Sequence, residues 1–242
     1  MSVQFFSGSS RHGGRIKLPM SYRRTAKWLP QIGDIFPDFT TRSTKGKIDF
    51  HEWAEGSWVV LFSHPAAFTP VCTTEIAGFA LAEPDFQQRN TKLISMSRSA
   101  LHVQKHWLKD IESLFGIQVG FPMLEDETGH FSKTFGMIHP HENDQHSIRK
   151  TFIIDPALKV RMIMEYPLFV GRGTDEILRV IDALQVQDEF SVGVGGDWQK
   201  GSQCLALPGS MQALSEAGHK LTSYRYYLTT VDLNTEPPED EG

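Results

Sequence analysis

The stretch Trp58-Val59-Val60-Leu61-Phe62-Ser63-His64-Pro65-Ala66-Ala67-Phe68-Thr69-Pro70-Val71-Cys72-Thr73-Thr74-Glu75 decides how this chain folds. Its first five residues form a short apolar run with two β-branched members, which predicts a buried strand. A loop stiffened by Pro65 and Pro70 follows. From about Thr73 to Arg89, Ile76, Ala77, Phe79 and Ala80 recur among polar residues, which predicts a helix. Pro84 lies inside that helix and predicts a kink or break. Cys72 then falls in the first helical turn.

Outward from this unit, strand-like and helix-like segments alternate. Lys92-Leu93-Ile94-Ser95-Met96 reads as a second buried strand, and residues 100–115 place Leu101, Trp107, Leu108, Ile111, Leu114 and Phe115 at helical spacing. Phe121 to Asp126 reads as a loop entering a short helix near Ser132–Phe135. Thr151–Ile154 is a third strand, turned by Asp155-Pro156. Lys159–Tyr166 alternates charged residues with Val160, Met162 and Met164, as a half-exposed antiparallel strand does. Thr174-Asp175-Glu176 caps a helix carrying Ile177, Leu178, Ile181 and Leu184.

Two crossover-linked strands followed by a hairpin are similar to the thioredoxin arrangement, so the expected class is α/β, thioredoxin-like. The expected organisation is a basic flexible arm over residues 1–28, a main domain over 29–190 and an extension with an acidic tail over 191–242. The extension carries Trp198, Leu205, Leu207 and Tyr224–Tyr227 in too few residues for a core of its own. It is therefore expected to bury them against a second copy of the chain.

Composition excludes several classes. The formal net charge of -5 argues against a nucleic-acid binder. No apolar run is long enough to span a membrane. Residues 1–30 hold Arg11, Arg15, Lys17, Arg23, Arg24 and Lys27 and lack the apolar core of a secretory signal. They read as a loosely docked arm, with an organelle-targeting segment as the alternative. Two cysteines in 242 residues make no disulfide framework and suit a reducing compartment, with a cytoplasmic location expected.

Cys72 is the candidate for chemistry. It follows the carboxyl end of a strand, where open α/β sheets form their sites. A helix start also offers unpaired N–H groups and a dipole that favour an anion such as a thiolate. Thr69, three residues earlier, can offer a hydroxyl to the sulfur or to a bound oxygen. The competing reading is a buried structural cysteine.

Pro65-x-x-x-Thr69-x-x-Cys72 resembles the active-site signature of the peroxiredoxins, within the AhpC/TSA superfamily. The longer string from Phe62 to Glu75 resembles the one-cysteine, peroxiredoxin-6-like branch. The resemblance runs from Leu29 to Tyr227, through Leu93-Ile94, Phe121-Pro122, Gly136-Met137, Arg149, Asp175–Val180 and Asp197-Trp198. It implies a thiol peroxidase that reduces hydrogen peroxide and organic hydroperoxides, with no cofactor and no metal. It implies that Cys72 is the peroxidatic thiolate, that Thr69 bonds the peroxide and the sulfur, and that Pro65 shields the pocket. Arg149 is implied to hold the thiolate and Glu75 to orient Arg149. His64 matches a pocket histidine of the branch, or is a satisfied core histidine. The product is a sulfenic acid that a thiol must reduce. Cys204 lacks the Val-Cys-Pro context of a resolving cysteine and reads as structural, so an external thiol is required. The resemblance also implies a homodimer built on the extension, with a decamer as the alternative.

Two weaker patterns are set aside. The Gly-x-Ser-x-Gly string of a phospholipase site is matched by Glu55-Gly56-Ser57-Trp58-Val59, with His51 at the histidine position but Ala157 at the acid position. Without both glycines the serine loses its sharp turn, so no lipase activity is expected. His139, His141 and His146 have irregular loop spacing and read as solvated. A non-enzymatic thioredoxin-fold binder is the rival reading. It has no need for Pro65, Thr69, Cys72 and Arg149 together.

Overall fold

The computed structural model describes residues 29–233. The arm over 1–28 and the end of the acidic tail lie outside the described residues. The strands are β1 (Thr40–Ser43), β2 (Gly46–Asp49), β3 (Trp58–Ser63), β4 (Thr91–Ser97), β5 (Met123–Glu125), β6 (Arg149–Ile154), β7 (Val160–Tyr166), β8 (Cys204–Leu205), β9 (Lys220–Arg225) and β10 (Leu228–Asp232). The helices are α1 (Phe50–Ala54), α2 (Pro70–Gln88), α3 (Leu101–Phe115), α4 (His130–Thr134), α5 (Thr174–Phe190) and α6 (Met211–Glu216).

β1 to β7 form one sheet in the order β2-β1-β5-β4-β3-β6-β7. β3 pairs parallel with β4 and antiparallel with β6, so it is central and every residue of it is buried. Its alternating side chains serve two cores. Trp58, Val60 and Phe62 join Ile76 and Phe79 of α2, Trp107 and Ile111 of α3 and Ile177 and Ile181 of α5. Val59 and Leu61 join Phe36, Phe50, Phe135 and Phe152 on the opposite face. The period of two along a strand sends neighbours to opposite faces, so an unbroken apolar run means burial on both. Each fully buried Leu or Phe there contributes about 1.5–3 kcal/mol relative to exposure.

α2 starts three residues before the expected position, with Pro70 in its first turn and Thr69 as N-cap. A proline costs nothing there, because its missing N–H would have had no helical partner. The helix runs through Pro84 to Gln88 without a break. Gly173, not Thr174, is the N-cap of α5.

Three features differ from the sequence reading. Met123–Glu125, read as loop, is a strand paired parallel with β4 and joined to β1 through Ser43 and Leu124. Three residues carry too little periodicity to declare a strand; the free edge of β4 supplies the hydrogen bonds. The hairpin β1–β2, short and largely polar, and α1, only five residues long, had no sequence signal. The short helix near residue 132 begins at His130 and ends at Thr134.

The extension has its own small sheet, β8-β10-β9, and its own apolar cluster of Val192, Trp198, Cys204, Ala206, Leu214 and Val231. Ala183, Val186 and Phe190 of α5 pack against that cluster. Trp198, expected to need a second copy, is 5% exposed within its own chain, and its Nε1 donates to the Ser202 carbonyl at 3.0 Å. Leu205 is half-buried. Leu207, Tyr224, Tyr226 and Tyr227 remain exposed.

Candidate active site

The site forms where β3 passes into α2. The His64 N–H donates to the Met96 carbonyl at 3.0 Å, extending the β3–β4 pairing by one residue. The chain then leaves the sheet through buried Pro65. The Ala67 N–H donates to the Ser99 hydroxyl at 2.9 Å, which ties the loop to the end of β4. Phe68 takes the left-handed conformation at φ 58°, costly for a residue with a Cβ, and leaves its ring half exposed beside His106 and Trp107. Thr69 returns to extended geometry and starts α2.

Cys72 is the third residue of α2 and has no exposed surface. Arg149, the first residue of β6, reaches it from across the sheet: its Nη1 lies 3.4 Å from Sγ. The same Nη1 donates to Glu75 Oε2, one turn beyond Cys72. Nε and Nη2 both donate to the Leu168 carbonyl, at 2.9 and 2.5 Å.

Arg172 completes the cluster and was missed in the sequence. Its Nε and Nη2 grip the Glu75 carboxylate at 2.8 and 3.0 Å, and its backbone N–H adds a third bond to Oε1 at 2.8 Å. Its Nη1 donates to the Thr151 hydroxyl at 3.1 Å, and its guanidinium lies over the Phe62 ring at 5.0 Å. The available signal was an arginine set between Gly171 and Gly173 after an apolar loop. Burial pushes the Glu75 carboxyl upward, but Arg172 and then Arg149 outweigh it and hold its pKa below the ordinary carboxylate value. Two guanidinium charges thus face one carboxylate, and a positive charge beside the sulfur is left unbalanced.

The other expected residues take distinct positions. The Thr69 hydroxyl donates to the Ala66 carbonyl at 3.0 Å rather than to the sulfur. The Thr69 carbonyl accepts the Thr73 hydroxyl at 2.8 Å, and that hydroxyl in turn accepts Trp107 Nε1 at 3.1 Å. His64 is fully buried, its ring 5.3 Å from that of Trp107, and among the described residues neither ring nitrogen makes a hydrogen bond of ordinary geometry, only a weak interaction with the Ala66 backbone. Burial lowers its pKa to about 3; Glu75 opposes this, and Arg172 and Arg149 add to it. The imidazole is therefore neutral at pH 7.

Several of the residues set aside have partners, and so does Glu142, which stands among the loop histidines. Ser57 is a turn residue before β3, its N–H donating to the Ala54 carbonyl at 3.1 Å. His51 Nε2 is 2.7 Å from the Phe36 carbonyl. Glu142 Oε1 accepts the Leu168 N–H at 2.9 Å, and His139 lies 3.9 Å from Glu165.

Residues 32–163 match the model of the AhpC/TSA family. The chain is 41% identical over 180 residues to Peroxiredoxin 2 of Caldanaerobacter subterraneus, covering 74% of this chain and 81% of that one. Its fold is similar to a cysteine-to-serine mutant of peroxiredoxin 6 of Arenicola marina, with TM-score 0.79, 35% identity and coverage of 85% and 99%. It is equally similar to a yeast mitochondrial 1-Cys peroxiredoxin solved for its thiol resolving mechanism via glutathione/thioredoxin systems, with TM-score 0.79, 36% identity and coverage of 84% and 100%. Likeness of this extent, shared between sequence and fold, carries one assignment: the chain belongs to the AhpC/TSA family, is a peroxiredoxin of thioredoxin-like fold, and acts as a thiol peroxidase.

Proposed function

We propose that Cys72 is the peroxidatic residue, and that Arg149, Thr69 and Pro65 form its immediate surroundings, with Glu75 and His64 in support. The observation that carries this reading is the Arg149 Nη1 contact with Cys72 Sγ at 3.4 Å inside a buried cluster short of one negative charge. The thiolate attacks one oxygen of a hydroperoxide, forming an S–O bond as the O–O bond breaks. The electron pair leaves on the second oxygen, which takes a proton and departs as water or an alcohol. Arg149 stabilises charge on both oxygens, because a guanidinium stays charged and presents several donors in one plane. Thr69 reaches a bound peroxide by rotating its hydroxyl away from the Ala66 carbonyl.

The Cys72 sulfenic acid then condenses with an external thiol to a mixed disulfide, releasing water, and a second thiol restores Cys72. Glutathione or thioredoxin is the proposed class of reductant, on the strength of the yeast relative. Cys204 takes no part. Burial pushes its thiol upward, opposed by Trp198, and it sits in the apolar cluster of the extension.

The proposed organisation is a peroxidase domain over 29–190 and an extension over 191–242. The proposed assembly is a homodimer, with a decamer as the alternative. It rests on exposed Phe169 at 87%, Tyr226 at 97% and Tyr227 at 72%. No described helix is long and apolar enough to cross a membrane. The proposed location is the cytoplasm, and the mitochondrial relative makes organelle targeting by the basic arm the alternative.

A sulfenic-acid trap tests the central assignment. After one equivalent of hydrogen peroxide, dimedone is expected to label Cys72 and not Cys204, as read by peptide mass spectrometry. Label on Cys204 alone overturns the assignment.

A further inference from the structure

The hydrogen bonds that aim Arg149 do not end at Leu168. Two donors of one planar guanidinium, Nε and Nη2, converge on the Leu168 carbonyl. That pairing fixes the direction of the plane and leaves Nη1 for Cys72 and Glu75. The position of this one carbonyl therefore governs where Nη1 points. Leu168 lies in the loop between β7 and α5, outside the sheet, and the nearest backbone bond in that loop is Val170 N–H to the Pro167 carbonyl at 3.3 Å.

The Leu168 N–H is held from the other side by Oε1 of Glu142 at 2.9 Å. Glu142 belongs to a turn packed against this loop, its own N–H donating to the His139 carbonyl at 2.9 Å. A bond between a carboxylate and a backbone N–H is charge-assisted and stronger than its neutral equivalent. We infer that Glu142 is a positioning residue: through the backbone of Leu168 it sets the orientation of Arg149 and so the contact of Nη1 with Cys72. Glu142 is exposed, and its carboxylate bonds the Leu168 backbone rather than the sulfur, Glu75 or Arg172. Its effect on the site runs through Leu168. The inference rests on the assignment of Cys72 and Arg149 made above.

The test is a double-mutant cycle read by the rate of Cys72 sulfenic acid formation with hydrogen peroxide, using quenched-flow mass spectrometry. Glu142→Ala is expected to slow oxidation about tenfold, because small misplacements of catalytic groups are costly. Glu142→Gln keeps an oxygen acceptor and is expected to stay within about twofold of the parent. In an Arg149→Ala background, Glu142→Ala is expected to change the rate by less than about twofold, as coupled residues are non-additive. A parental rate for Glu142→Ala overturns the inference, and so does an equal loss in both backgrounds, since neither effect would then pass through Arg149. A parental rate for Arg149→Ala alone overturns the assignment of Arg149 itself, and that variant reports it without reference to Glu142.

Discussion

Cys72 and Cys204 are both fully buried, yet their neighbours differ in kind. Cys72 starts a helix, and a guanidinium that nothing fully neutralises faces its sulfur. Cys204 lies in a two-residue strand, paired with Val231 and enclosed by Val192, Trp198, Ala206 and Leu214. Burial alone makes a cysteine a small apolar side chain. Burial next to an unbalanced positive charge sets the sulfur in a different electrostatic environment, and the proposed reaction at Cys72 rests on that difference. The same accessibility thus accompanies opposite surroundings, and on the proposed reading the partner decides which cysteine reacts.

The largest expected effect is on the cysteines themselves. Cys72→Ser is expected to abolish peroxide consumption supported by dithiothreitol, while Cys204→Ala keeps turnover within about twofold, since a buried small-to-smaller change acts on stability rather than on the reaction. Comparable losses in both variants break the contrast and make Cys204 a resolving residue.

Removing the charge that separates the two environments is expected to cost less than removing the sulfur. Arg149→Ala is expected to lower the second-order rate constant for peroxide about 10²–10³-fold, the usual cost of losing one preorganised donor to developing charge. Stopped-flow measurement at pH 7 checks it.

The charge cluster also carries stability. Arg172→Met removes two side-chain hydrogen bonds from the Glu75 carboxylate but leaves it paired with Arg149, so the expected loss is about 1.5–3 kcal/mol, below that of a buried charge with no partner. Urea unfolding of the variant and the parent measures the loss. A change under about 1 kcal/mol would mean that the pair barely offsets its own desolvation.

The last expected effect is on pH dependence. His64 is held neutral in the fold, its pKa lowered from 6.5 to about 3. Between those values the unfolded chain binds a proton that the native chain refuses. Stability contributed by this group is therefore intact above pH 6.5 and is lost as pH falls toward about 3, with a slope of at most about 1.4 kcal/mol per pH unit. Glu75 adds a loss of the same sign at lower pH, below the ordinary carboxylate range, because its pKa is also depressed. His64→Leu is expected to flatten the slope between pH 6 and about 4.5 in denaturant unfolding. An unchanged slope places the acid sensitivity elsewhere.

The sequence by itself determined what depends on neighbours along the chain. The unbroken run Trp58–Phe62 had to be covered on both faces, the period of Ile76, Phe79 and Ala80 had to be helical, and the junction between them had to put Cys72 at a helix start. Local steric preference and hydrophobic period act over a few residues, so they are written in the order of the residues. The signature around Cys72 was legible through its resemblance to that of the peroxiredoxins, whose residues stand close together along the chain. What only the tertiary structure decided are the pairings between distant segments. Arg172 meets Glu75 from the loop before α5, and Leu168 turns a carbonyl onto Arg149, whereas the pairing of Arg149 with Glu75 was expected through the resemblance alone. β5 is a strand because β4 offers it an edge, and Trp198 is covered by its own extension and by α5 rather than by a second copy. Hydrogen bonds and buried charges form between whichever groups the fold brings within about 3 Å, and no local preference records which those will be.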